Sequence, residues 1–139
     1  MGVIKVVLLD AGPWVAYLRR ADQHHVWARE QFSARETFVS CDAVLAEVCA
    51  RLEYYGNDPL AAVEFVKAGV VTLVFDLQTN ITFVDALMRK YRDQPMDLAD
   101  ACLVRMTEIE ERSLVLTTDG DFKVYRRNGR EVIPCVLPE

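Results

Sequence analysis

Five short aliphatic runs, at 3–9, 37–41, 70–75, 113–118 and 131–137, recur along the chain with amphipathic stretches between them. Runs this short, bounded by turn residues, read as buried strands rather than helices. Near-continuous Val and Leu is the pattern of strands covered on both faces, as in parallel sheets. The intervening stretches carry apolar residues at three- and four-residue spacing. Val44, Leu45, Val48 and Leu52 mark a helix over 42–55, and Leu98, Ala101, Cys102, Val104 and Ile109 mark one over 98–111. Further helices are expected from Gly12-Pro13 to about Arg20, over 23–35 behind Asp22, from Pro59 to Gly69 behind Asn57 or Asp58, and over about 79–91. Strands alternating with helices predict an α/β fold with a central, mostly parallel five-stranded sheet and right-handed crossovers. Pro134 places the last strand at a sheet edge.

The 139 residues suit one domain, spanning 1–139, large enough to bury a core. With 52% hydrophobic and 27% charged residues the composition is that of a globular protein. No apolar stretch approaches the roughly 18 residues of a membrane span, and no basic leader with a cleavage site is visible, so a cytoplasmic protein with no membrane partner is expected. Cys41, Cys49, Cys102 and Cys135 are widely spaced in apolar segments and read as small buried hydrophobes in a reducing compartment. A net charge of −5 argues against a bulk polyanion binder, though not against a nuclease whose acids hold metal beside local bases.

Two strands end on aspartate: "VVLLD" on Asp10 and "SLVLTTD" on Asp119. Aspartate is a poor strand residue and costly to bury alone, and ligands of open parallel sheets bind outside the carboxyl ends of the strands. Glu47 interrupts the apolar stretch Ala43–Ala50, and Asp97 and Asp100 lie one helical turn apart in "PMDLADACLV". Asp97 fits an N-cap, with Asp100 at the third helical position. If Asp10, Glu47, Asp100 and Asp119 converge, their repulsion raises their pKa values, and a divalent cation relieves it. An all-oxygen set suits Mg²⁺ or Mn²⁺ rather than zinc, and such ions act on phosphate esters.

Other polar residues take plainer readings. His24 and His25 begin a surface helix, and Trp14 packs the first helix on the sheet. Arg19 and Arg20 are solvated, although one could face RNA. Lys123, Arg126 and Arg127, close behind Asp119, are the candidate phosphate contacts.

The stretches "LLDAGPWVAYL" (8–18), "LAEVCARL" (45–52), "MDLADACLV" (96–104) and "VLTTDGDFKVYR" (115–126), in that order and spacing, resemble the PIN-domain ribonucleases, and within them the VapC-type toxins of prokaryotic toxin–antitoxin modules. The resemblance implies a three-layer α/β/α fold and Mg²⁺- or Mn²⁺-dependent cleavage of RNA to 5′-phosphate and 3′-hydroxyl products. It also implies a cognate antitoxin and a homodimer. Carried over residue by residue, the family's acids fall on Asp10, Glu47, Asp100 and Asp119. On this resemblance Asp10 and Asp100 are expected to hold the principal metal, with Glu47 and Asp119 completing the set directly or through water. Asp97 stands where relatives place a capping residue, and Asp121 is a supporting acid that binds metal through water or holds its loop.

Three other readings compete. A receiver-like signalling module also gathers acids at strand ends, but wants paired acids near the first strand, where this chain has Asp10-Ala11-Gly12. The same tripeptide disfavours a haloacid-dehalogenase-type phosphatase, which needs Asp-x-Asp. A regulatory module that grips RNA without cutting it is separated from the enzyme only by an assay.

Overall fold

The computed structural model describes residues 3–139. The chain runs β1 (Val6–Leu9), α1 (Ala11–Leu18), α2 (His25–Ser33), β2 (Phe38–Ser40), α3 (Asp42–Tyr54), α4 (Leu60–Lys67), β3 (Val71–Leu73), α5 (Leu77–Lys90), α6 (Leu98–Ile109), β4 (Ser113–Leu116), a short 3-10 helix (Gly120–Lys123), β5 (Arg126–Arg127), β6 (Glu131–Val132) and β7 (Cys135–Val136).

Five strands form one sheet in the order β3-β2-β1-β4-β7, all parallel. β1 is central, with Val6–Leu9 in register against Ser113–Leu116. The chain moves outward from β1 to β2 to β3, then returns past β1 to β4. Right-handed crossovers therefore put α1–α4 on one face and α5–α6 on the other. The direction reverses between β1 and β4, the switch point outside whose carboxyl edge open α/β sheets bind their ligands. This order also departs from the 2-1-3-4-5 order of receiver domains.

The core forms where the two faces of the sheet are covered. Leu8, Leu9, Val115 and Leu116 of the central strands are buried, as are Trp14 and Val15 of α1 and Ala101–Val104 of α6. Because α6 is enclosed on nearly every side, its pattern is apolar all round rather than a single stripe.

Three boundaries depart from the periodicity. The first strand begins at Val6 rather than Val3, and Val3 and Ile4 are exposed because β4 pairs only from Val6 onward. The first helix stops at Leu18, where Arg19 turns to extended backbone. The expected strand over 131–137 is two strands. Asn128 and Gly129, with φ of 52° and 87°, make a tight turn that pairs Glu131–Val132 antiparallel with Arg126–Arg127. Only Cys135–Val136 then joins the main sheet, at its edge, with Val115 N donating to the Pro134 carbonyl at 2.9 Å.

The plainer readings hold for several side chains. All four cysteines are free, Cys41 and Cys102 being buried. The His25 ring lies 2.7 Å from the Ala16 carbonyl through Nδ1. Among the described residues no helix is long and apolar enough to cross a membrane.

Candidate active site

Asp10 continues the sheet before it opens a helix. Its N–H donates to the Leu116 carbonyl at 3.0 Å, and its carboxylate caps α1 by accepting from Ala11 N at 2.8 Å. Its other oxygen accepts from Thr117 Oγ1 at 2.7 Å. The strand-to-helix elbow is tight: a Cβ on Gly12 would overlap the Thr118 hydroxyl, so glycine is what lets α1 approach the end of β4.

Thr117 is fully buried and serves both strand ends, because its Oγ1 also accepts from Asp119 N at 2.9 Å. Asp119 then caps the 3-10 helix through Asp121 N at 2.9 Å. Asp97 and Asp100 form a reciprocal capping box at the start of α6. Asp97 accepts from Asp100 N at 2.8 Å, and Asp100 accepts from Asp97 N at 3.3 Å. Asp100 is buried, and Tyr125 donates to its Oδ2 at 3.3 Å. Glu47 reaches the same edge from α3, lining a depression with Ala43, Ala46, Asp97, Leu98 and Ala99.

The electrostatics tie these acids together. Burial is the first cause that pushes the Asp100 carboxyl up to about 8, followed by the charges of Asp97, Asp10 and Asp119. Burial also raises Asp10, assisted by Asp119 and Asp97 and opposed by the bonds from Thr117 and Ala11. Glu47 is raised by burial and then by Asp10 and Asp97, while Arg51, 3.6 Å away, opposes the shift. Asp121 is raised by desolvation and by Asp119. Carboxylates from four separate segments thus repel one another at one edge of the sheet.

A hard divalent cation fits this chemistry, since the donors are all carboxylate oxygens and neutralisation removes their repulsion. In the rotamers present, each carboxylate turns to a protein donor. Among the described residues, no three acids, histidines or cysteines stand close enough to coordinate one ion. Coordination would therefore require the carboxylates to rotate inward from these partners.

Of the expected phosphate contacts, two arginines turn their Nη1 groups to backbone carbonyls. The Arg126 guanidinium donates to the carbonyls of Lys123, Val124 and Tyr125, and that of Arg127 to the carbonyls of Thr107 and Glu111. These arginines fasten the C-terminal segment, Arg127 by taking up carbonyls at and beyond the end of α6. Lys123 is exposed. Sequence reasoning also missed Thr117, Tyr125 and Arg51. A threonine pair just before a strand-end aspartate is a local hint for Thr117, whereas Tyr125 meets Asp100 only through the tertiary fold.

The family model of the PIN domain matches residues 7–128. Among solved structures, that of Mycobacterium tuberculosis VapC20, a sarcin-ricin loop cleaving toxin, superposes with a TM-score of 0.74. The two are 18% identical, over 85% of this chain and 93% of that one, a likeness of fold. No curated protein matches the sequence significantly.

Proposed function

Because this chain belongs to the PIN-domain family, we propose that it is a metal-dependent endoribonuclease and the toxin of a toxin–antitoxin pair. The observation that carries the reading is the mutual repulsion of Asp10, Glu47 and Asp100 with Asp97 and Asp119 at the carboxyl edge of the sheet, with Asp100 raised to about 8. A fold has little reason to bury Asp10 and Asp100 beside further carboxylates unless a cation joins them.

In this proposal Asp10 and Asp100 are the principal ligands of Mg²⁺ or Mn²⁺, and Glu47 and Asp119 complete the set directly or through water. When bound, the cation supplies a more acidic water and neutralises charge on the phosphoryl oxygens. The protein's own groups place these acids. Thr117 fixes Asp10 and the Asp119 backbone together, Tyr125 holds Asp100, and Asp97 caps the helix that carries Asp100. Asp121 supports the Asp119 loop. The attack is in line on an RNA phosphodiester and leaves 5′-phosphate and 3′-hydroxyl ends.

The partners follow the same reading: an RNA substrate, an antitoxin that covers the acid edge, and a second copy in a homodimer. The antitoxin would inhibit by aiming a basic side chain at the acids or by blocking the groove. Four free thiols suit a cytoplasmic setting.

The test is cleavage of total RNA, and of a sarcin-ricin loop hairpin as one candidate, with Mg²⁺ or Mn²⁺ and with chelator. The proposal expects cleavage with metal only, abolished by Asp10→Asn or Asp100→Asn in folded protein. Binding of RNA with no metal-dependent cleavage would favour the non-cutting module instead.

A further inference from the structure

The acids explain chemistry at a phosphodiester but not how an acidic protein holds RNA beside them. The turn of the Arg126 and Arg127 Nη1 groups to backbone carbonyls sharpens that question. From the geometry of α3 we infer that Arg51, Tyr54 and Tyr55, with Arg19 beside them, form a platform for single-stranded RNA leading away from the acid cluster. This inference rests on the ribonuclease reading and adds the surface that selects its substrate.

Glu47, Arg51 and Tyr54 stand at i, i+4 and i+7 on α3 and so share one stripe of the helix. Glu47 faces the acids, and the Arg51 guanidinium lies 3.6 Å from its carboxylate, at the boundary of the cluster. Tyr54, seven residues and about 10 Å further along the axis, is 83% exposed. Tyr55, 47% exposed, meets the Tyr54 ring edge-on with centroids 5.1 Å apart. The Arg19 guanidinium lies over the Tyr55 ring at 3.9 Å, bringing a second cation from the end of α1.

Two exposed aromatic rings flanked by arginines are the elements that grip unpaired nucleotides. Bases stack on the rings, guanidinium groups stack or meet phosphates, and neither demands a particular base. A duplex keeps its base faces stacked inside, so the platform favours loops, bulges and ends. Arg19 presses on Tyr55, which leaves the more exposed Tyr54 as the principal stacking face. With Glu47 engaged by a cation, Arg51 would be free to meet an RNA phosphate at the boundary of the cluster.

The test measures binding of a short fluorescent single-stranded RNA by anisotropy, in an Asp10→Asn background that prevents cleavage. Tyr54→Ala should weaken binding about tenfold, and Tyr54→Ala/Tyr55→Ala more than that. Tyr54→Trp should restore it. Arg19→Ala and Arg51→Gln should each flatten the salt dependence by about 0.7 of a log unit per log unit. Both tyrosines are exposed, so urea unfolding should show the alanine variants folded. Unchanged RNA affinity in the double alanine variant overturns the platform. So does a variant that keeps its RNA affinity while losing a protein partner, which would make the surface a protein-docking site. Cleavage by the wild-type chain is measured separately. Its absence defeats the ribonuclease reading, whereas the anisotropy series reads the platform alone.

Discussion

Thr117 Oγ1 donates to Asp10 Oδ2 at 2.7 Å and accepts from Asp119 N at 2.9 Å, so one buried hydroxyl locks the ends of β1 and β4 together. Asp10 and Thr117 are 107 residues apart in sequence, and their contact joins the two strand ends at the acid edge.

Thr117→Val keeps the shape but removes both bonds. It should destabilise the fold by about 1–3 kcal/mol, because a buried carboxylate and a backbone N–H each lose a partner. Thr117→Ser should stay close to wild type. Urea unfolding of the two variants checks this, and equal midpoints for Val and Ser would mean that the hydroxyl does not carry the contact.

The Asp100 carboxyl, at about 8 in the fold, lies far above its value of 3.8 in the unfolded chain. Between those values the folded state holds more protons than the unfolded state, so stability falls as pH rises from about 4 to about 8 and levels off above. Asp10 and Glu47 are raised too and add the same sign. With chelator present, unfolding midpoints should drop from pH 5 to pH 8, and Asp100→Asn should flatten the drop and be the more stable chain at pH 8. The contribution of one group cannot exceed about 1.4 kcal/mol per pH unit. Mn²⁺ affinity should rise over the same window, since the ligand must lose its proton. A stability that climbs with pH in chelator would contradict the assignment.

Asp97 is a cap before it is anything else. Asp97→Asn should keep most RNA cleavage and stability, while Asp97→Ala should lose about 1 kcal/mol of stability. Cleavage rates and unfolding curves for both, beside Asp100→Asn, separate the roles. Equal loss of activity in Asp97→Asn and Asp100→Asn would make Asp97 a metal ligand.

Tyr125 is fully buried, and its rings' neighbours Tyr91 and Phe122 hold it edge-on while its hydroxyl reaches Asp100. Burial and the Asp100 charge push the phenol well above its usual range, so it remains a donor. Tyr125→Phe should leave the fold in place and weaken Mn²⁺ binding about tenfold, as losses of groups behind metal ligands do. Calorimetric titration with Mn²⁺ reads this directly, and unchanged affinity would reduce Tyr125 to packing.

Much of this arrangement was legible before the structure, and the reason is locality. An aliphatic run that ends on Asp10 or Asp119 announces a strand end with a reason for a carboxylate, and the three-residue spacing of Asp97 and Asp100 announces a capping box. What stayed hidden depends on contacts distant in sequence. Tyr125 finds Asp100 across 25 residues. Arg127, which reads as a free cation in the sequence, turns its Nη1 to the Thr107 carbonyl across 20 residues. The split of the last strand had a local sign in Asn128-Gly129, but a tight turn shows its meaning only once both short arms of the hairpin are identified.

The central claim is that Asp10 and Asp100, together with Glu47 and Asp119, are the ligands of a divalent cation. Anomalous diffraction from crystals of this chain soaked in Mn²⁺ tests it most directly. The account predicts one strong peak in contact with oxygens of both Asp10 and Asp100, lost in Asp100→Asn crystals. A soaked crystal with no peak between those two carboxylates, or with one unaffected by Asp100→Asn, would contradict it.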